Sequence, residues 1–256
     1  MVKLATWNVN SLKVRLPQVL QWLADNPVDV LCLQETKTID DNFPRSEIEA
    51  AGYQVIFSGQ KTYNGVAILS QHAMTDVVRN NPHFADEQQR LIAATVAGVR
   101  VICAYVPNGQ SPDSDKYQYK LRWLAGLQQW LAEEVTTHAR LALLGDYNIA
   151  PEDRDVHDPA AWIGQVLVSE PERAAYRAML ALPLQDAFRL FEQADKLFSW
   201  WDYRQMAFRR NRGMRIDHIL LSPELAAACT ACVIDKTPRK WEQPSDHTPV
   251  VATLVV

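Results

Sequence analysis

Cysteine is scarce in this chain, with four residues in 256: Cys32, Cys103, Cys229 and Cys232. That excludes a disulfide-stapled fold, and a chain of this length buries roughly 70–75% of its unfolded surface without staples. Cys229 and Cys232 match C-x-x-C, but no second cysteine or histidine pair lies nearby to complete a zinc site. The cysteines are read as reduced thiols of a cytoplasmic protein. Excess basic charge is missing too. The 26 Lys and Arg face 30 Asp and Glu, a formal net charge of −4. A polyanionic partner must therefore be held by a local patch or a metal. No apolar run reaches ten residues, which excludes a helical bilayer span, and Met1–Trp7 lacks the layout of a secretory leader. No repeat or low-complexity linker is present and the 14 prolines are scattered, so residues 1–256 are expected to form one domain.

Short stretches rich in Val, Ile, Thr and aromatics recur along the chain. Strands are predicted at Val2–Asn8, Val28–Gln34, Tyr53–Ser58, Gly65–Ser70, Leu91–Val96, Val99–Val106, Leu141–Leu144, Arg215–Leu221, Thr230–Ile234 and Val250–Val255. Ala97-Gly98 is a hairpin signal between two of them. The spacing of Leu121, Leu124, Leu127 and Leu131 predicts a helix over Lys116–Glu134. Shorter helices are predicted at Pro17–Asp25, with proline in the first turn, at Glu170–Leu180, capped by Ser169 and Glu172, and at Pro223–Ala228. Strands and helices do not alternate regularly. That argues against a purely parallel doubly wound sheet and for two mostly antiparallel or mixed sheets with helices outside.

The telling polar residues sit at strand ends: Asn8, Glu35, Asp146 with Asn148, Asp217, and Asp246 with His247. One such residue is ordinary turn chemistry. Five strand ends brought together would form a carboxylate cluster that cannot stay ionised without a cation. Oxygen ligands from Glu, Asp and Asn suit Mg²⁺ or Mn²⁺, whereas thiolates would suit zinc. The histidine and the remaining aspartate suit acid–base or orienting work. The pattern points to metal-assisted phosphoester hydrolysis.

Trp7-Asn8-Val9-Asn10, Gln34-Glu35-Thr36-Lys37, Tyr105-Val106-Pro107-Asn108-Gly109, Gly145-Asp146-Tyr147-Asn148, Trp200-Trp201-Asp202-Tyr203, Arg215-Ile216-Asp217-His218 and Ser245-Asp246-His247 occur in this order. Together they resemble the motifs of the exonuclease III family of DNA repair nucleases, from residue 2 to residue 252. The resemblance implies an α/β fold, a four-layer α/β sandwich of two packed mixed β-sheets flanked by helices, as in the endonuclease/exonuclease/phosphatase superfamily. It implies Mg²⁺- or Mn²⁺-dependent cleavage of DNA phosphodiesters by a monomeric enzyme, on double-stranded DNA with damaged or recessed 3′ ends. The activities the family implies are 3′→5′ exonuclease digestion of duplex DNA, removal of blocking 3′ groups and incision at abasic sites. By the same resemblance, Glu35 is the principal metal ligand with Asn8 close by. Asp146 activates the attacking water and touches metal. Asn148 holds the scissile phosphate beside the metal, and Tyr105 serves that phosphate or the leaving group. Asp217 orients His247, and His247 and Asp246 complete the metal's surroundings.

Lys196 to Arg215 carries six basic residues, Lys196, Arg204, Arg209, Arg210, Arg212 and Arg215, and one acid, Asp202. This run is the expected source of phosphate contacts, with Arg209, Arg210 and Arg212 as DNA-binding candidates. Lys116, Lys120 and Arg122 read as a solvated helix face, with Lys116 and Lys120 within reach of DNA. The resemblance makes Trp200 and Met214 the two walls of a pocket for a flipped-out sugar. Leu167 falls near the place where abasic-site endonucleases of the family carry a small residue, which predicts that an internal abasic sugar is kept out while a frayed 3′ terminus enters. Burial of Leu167 in the core is the competing expectation. Two other function classes fit less well: a superfamily phosphodiesterase acting on a phospholipid or inositol phosphate, and a DNA-binding module with a dead site.

Overall fold

The computed structural model describes residues 1–255. Strand alternation sorts the apolar residues into layers. One sheet runs in the order β13-β14-β1-β2-β4-β3, from β1 (Val2–Asn8), β2 (Val30–Gln34), β3 (Gln54–Ser58), β4 (Val66–Ser70), β13 (Cys229–Ile234) and β14 (Val250–Leu254). The other runs β5-β6-β7-β8-β12-β9, from β5 (Met74–Arg79), β6 (Leu91–Val96), β7 (Val99–Tyr105), β8 (Leu141–Asp146), β9 (Gln185–Asp186) and β12 (Asp217–Leu221). β10 (Trp200–Trp201) and β11 (Gly213–Met214) form a separate ribbon. The sheets pack face to face. Leu4, Val30, Cys32 and Ile68 of the first meet Ile92, Val101, Cys103 and Leu144 of the second.

Alternate residues face outward and carry the helices. Ala5, Trp7, Leu31 and Leu33 receive Val19, Trp22 and Leu23 of α1 (Leu12–Asp25). Ile102 and Leu143 receive Trp123 and Leu127 of α3 (Asp115–Thr137), and Tyr176 and Met179 of α5 (Glu170–Leu180) join them. The order is helix, sheet, sheet, helix, the four-layer sandwich expected. Short helices α2 (Arg45–Ala50), α4 (Pro159–Trp162) and α6 (Pro223–Ala228) complete the set. Among the described residues no helix is long and apolar enough to cross a membrane.

In each sheet one neighbouring pair runs parallel, β1 with β2 and β7 with β8. The crossovers are α1 and α3, so all four strands finish at the same edge of the sandwich. The helix expected from Pro17 begins five residues earlier, at Leu12. Its start is set by tertiary bonds, Ser11 N to Glu35 O at 2.8 Å and Leu12 N to Thr36 O at 3.0 Å, which no capping signal announces. The strand expected from Arg215 begins at Asp217, because the Arg215 N–H leaves the ladder to reach Asp155 O at 2.9 Å. The helix over Glu170–Leu180 forms as expected, with Ser169 and Glu172 making the reciprocal cap.

Candidate active site

The carboxyl ends of parallel strands are where α/β proteins place ligands, and here two such ends face each other. Asn8 closes β1, Glu35 follows β2, Tyr105 closes β7 and Asp146 closes β8. Asp146 is in register with both Tyr105 and Asp217. Just before it, a Cβ added to Gly145 would collide with the Ala104 carbonyl, so this close approach requires glycine. Glu35 takes a left-handed backbone, φ 52, at the turn out of β2. Ser245 brings in the last strand end. Its Oγ donates to Asn8 O at 2.7 Å and accepts from His247 N at 3.2 Å.

Glu35, Asp146 and His247 each present a ligand atom, all within 4.8 Å of one another. Asn8 spans the two carboxylates, its Nδ2 donating at 2.9 Å to Glu35 and at 2.9 Å to Asp146. The Asn8 Oδ1 accepts from Asn10 N at 2.9 Å. Lys37 pairs with Glu35 at 2.9 Å. Burial pushes the Glu35 carboxyl up, but Lys37 and Asn8 outweigh it and hold it below the usual range. Asp146 is wholly buried. Burial, with Asp217 nearby, pushes it up to about 7 against the pull of His247 and Asn8. Carboxylates held this close, in an oxygen-rich set without thiolates, fit a hard divalent cation. Glu35 and Asp146 offer the oxygens that could hold it, with the His247 ring nitrogen beside them.

His247 Nδ1 lies 2.9 Å from Asp217 Oδ2, and its Nε2 lies 3.6 Å from Asp146. Burial pulls this imidazole down, but Asp217 and Asp146 push it up to about 10. It is therefore a cation at neutral pH. Asp217 is itself fixed by Ser199, whose Oγ donates to Asp217 Oδ2 at 2.7 Å and accepts from Asp217 N at 3.1 Å. Nothing but its place beside the Trp200 motif marked Ser199 in the sequence.

Tyr105 is buried beneath the Arg90 guanidinium, 4.8 Å from the ring centroid. Burial, with Glu35 and Asp146 beside it, pushes its phenol well up, so it keeps its proton. Asn148 is left-handed, φ 48. Its N–H donates to Asp146 Oδ1 at 2.9 Å, and its Nδ2 donates to Val106 O at 3.0 Å and weakly to Asp146 at 3.4 Å. Asp246 stands apart from the three clustered residues. Its carboxylate accepts from Asn10 Nδ2 at 3.1 Å and from Trp200 Nε1 at 3.0 Å.

Trp200, Met214 and Leu167 come together in one apolar cluster. Met214 and Leu167 are buried, 0% and 4% exposed, so the competing expectation of a core position for Leu167 also describes its place. Arg209, Arg210 and Arg212 are exposed on the loop before β11. Arg215 is not part of that face. It is buried and pairs with Asp155 at 2.7 Å and Asp186 at 2.8 Å. Lys120 is likewise no solvated residue but wholly buried, paired with Glu172. A helical wheel shows only that position 120 lies near the apolar stripe; its acid partner is 52 residues away. Beside Tyr105 a cleft of about 650 Å³ opens between Tyr63, Gln88, Arg90, Asn108 and Lys116.

Residues 5–247 match the endonuclease/exonuclease/phosphatase family. The chain is 36% identical to exodeoxyribonuclease III of Haemophilus influenzae, over 98% of this chain and 99% of that protein. It superposes on the 3′ phosphatase NExo of Neisseria bound to a product DNA hairpin with a TM-score of 0.99, at 47% identity over the whole of both chains. An AP endonuclease from Archaeoglobus fulgidus gives 0.96 at 42% identity, again over both whole chains. With two packed mixed sheets, an acidic cluster at their shared edge and relatives matched from end to end, the chain belongs to the endonuclease/exonuclease/phosphatase family and, within it, to the exonuclease III family of DNA-hydrolysing enzymes.

Proposed function

We propose that this protein is a Mg²⁺- or Mn²⁺-dependent enzyme that processes 3′ ends of double-stranded DNA, as a 3′→5′ exonuclease and by removing blocking 3′ groups, with weak incision at internal abasic sites. The family carries the chemistry. The observation that carries the preference for ends is Leu167, a branched side chain seated against Trp200 and Met214 where an extruded sugar would need room. The cation would be held by Glu35 and Asp146, with Asn8 bracing the two carboxylates; a direct share for Asn148 or Asp246 belongs to the same proposal, whereas the metal share the resemblance gave His247 does not fit a ring whose two nitrogens both carry protons. The bound cation supplies charge stabilisation on the phosphate.

The chain's own residues supply the rest. Asp146, ionised, accepts the proton of the attacking water. Protonated His247, held by Asp217, directs its Nε2 proton at a non-bridging phosphate oxygen. Asn148 exchanges its weak 3.4 Å bond to Asp146 for another of those oxygens. Tyr105 donates its proton toward the leaving oxygen. Exposed Arg209, Arg210 and Arg212 contact the duplex backbone, a sequence-independent term that falls with salt. We further propose that residues 1–256 act as a single domain and a monomer in the cytoplasm.

One gel tests the reading: duplexes carrying a recessed 3′ hydroxyl, a 3′ phosphate at a nick, or an internal abasic site, each with and without Mg²⁺. Metal-dependent turnover of the first two, at least about tenfold faster than the third, is expected, since one crowded pocket is worth 1–3 kcal/mol. Equal turnover of the abasic site would overturn the preference for ends and favour a fully competent abasic-site endonuclease, as the similar Archaeoglobus protein is named.

A further inference from the structure

We propose that the buried Lys120–Glu172 pair is a positioning element that locks the Asn148 loop to the Leu167 wall, and thereby sets both turnover and the choice between 3′ ends and internal sites. This rests on the function proposed above. Lys120 lies on α3, behind the Asn148 backbone, with none of its side chain exposed. Its ammonium donates to Asn148 O at 2.6 Å and Asn108 O at 3.1 Å as well as to Glu172. Glu172, equally buried, accepts from Leu167 N at 3.0 Å and from Ser169 N at 3.2 Å and Oγ at 2.5 Å.

One ion pair therefore grips two loops at their most constrained points. Leu167 is left-handed, φ 76, a backbone state that a bulky residue keeps only when its surroundings over-determine it, and Asn148 is left-handed too, φ 48, as asparagine readily is. The two loops also touch directly, Ala150 N donating to Leu167 O at 2.8 Å. Asn108, whose carbonyl Lys120 holds, reaches Asn148 Oδ1 at 3.3 Å with its own amide. A buried charge pair is not needed for stability, because a well-packed apolar pair of similar volume serves as well. An apolar pair cannot, however, bind two carbonyls on one side and a chain N–H on the other. Without the pair Asn148 and Leu167 lose their common anchor.

The test separates positioning from stability. Lys120→Met leaves Glu172 as an unpaired buried charge, and Lys120→Met/Glu172→Leu removes both charges. The thermal midpoint, kcat, KM and the ratio of abasic-site incision to 3′-phosphate removal are measured for each with Mg²⁺. The double variant is expected to regain the midpoint lost by the single one. Its kcat stays roughly 10- to 100-fold below wild type, the penalty of an ångström-scale misplacement, with KM little changed and the ratio shifted toward abasic sites. Recovery of kcat and ratio together with the midpoint would overturn the proposal and leave a structural pair only. Should the double variant not fold, Glu172→Gln keeps the shape, and an unchanged ratio in that folded variant overturns the proposal equally. Wild-type protein inactive on every DNA substrate overturns the functional reading, and this inference with it.

Discussion

Both carboxylate oxygens of Asp217 face one ring nitrogen of His247: Nδ1 stands 2.9 Å from one and 3.1 Å from the other. The carboxylate spends its hydrogen-bonding capacity on one ring nitrogen and on Ser199. That fixes the ring so that Nε2 faces Asp146 and the open edge of the sandwich. His247 is thus an oriented cation at neutral pH rather than a free base.

The two residues act as a unit, so their losses are not expected to add. Asp217→Ala should lower kcat by roughly 10²–10⁴-fold, the range for a positioned proton donor or acceptor, and His247→Ala by a similar factor. The double variant should fall little below the worse single one. A double-mutant cycle on 3′-phosphate removal measures this, and strictly multiplicative losses would show that the pair does not work through contact.

Metal binding should be coupled to proton release. Asp146 is pushed up to about 7, so at pH 6.5 it is largely protonated in the metal-free protein and must lose that proton to act as a ligand. Calorimetry of Mg²⁺ binding at pH 6.5, repeated in buffers of different ionisation enthalpy, should show release of about half a proton or more, falling as pH rises above 8. Glu35→Ala should weaken binding and demand more Mg²⁺ for turnover. Unaltered turnover of that variant at low Mg²⁺ would remove Glu35 from the metal's ligands.

The site was legible in the sequence to the extent that chemistry forces residue types onto strand ends. Asn8, Glu35, Tyr105, Asp146 and Asp217 sit at the ends of apolar runs because β1, β2, β7, β8 and β12 all reach one edge. The two packed sheets were legible in the irregular succession of strands and helices, which argues against one parallel sheet, but both faces of β1 carry apolar residues, so which of them meets a helix was not. What stayed hidden is long-range pairing. Nothing local tells that Arg215 folds inward onto Asp155 and Asp186, or that Lys120 is buried with Glu172. Two-residue strands such as β10 and β11 are too short to carry a period. The edge strand β5 carries Thr75 and Asp76 outward, so its pattern reads as loop.

Stability should fall on mild acidification through His218. This residue sits behind Asp217, donating from Nε2 to Ile149 O at 2.8 Å and facing Arg215 at 3.1 Å through Nδ1. Burial and the Arg215 charge pull it down to about 4. The unfolded chain takes up a proton near pH 6.5, but the folded chain does not until about pH 4. The stabilisation is therefore fully present above pH 6.5 and is lost as pH falls through 4, up to about 3 kcal/mol in all. Denaturant unfolding at intervals from pH 7.5 to 4 should show this slope. It should be shallower in His218→Gln, and an equal slope in both would assign the acid sensitivity elsewhere.

On the proposed function, Leu167 should decide between two fates for a DNA sugar. Its side chain packs with Trp200 and Met214, and its left-handed backbone, φ 76, suits glycine better than leucine. Extrusion of an internal nucleotide already costs a few kcal/mol, and displacing a seated leucine adds to that, while a frayed end has less to overcome. Leu167→Gly removes a buried side chain, a loss of about 2–5 kcal/mol, of which about 1 kcal/mol returns by relieving the backbone. A fold stabilised by about 5–15 kcal/mol survives this. Abasic-site incision should rise about tenfold relative to 3′-end processing in Leu167→Gly, and less in Leu167→Ser, which keeps the backbone strain. Rates on both substrates, taken well below each variant's melting midpoint, give the ratio. If both activities fall in proportion, Leu167 is a core residue and the pocket's selectivity lies elsewhere.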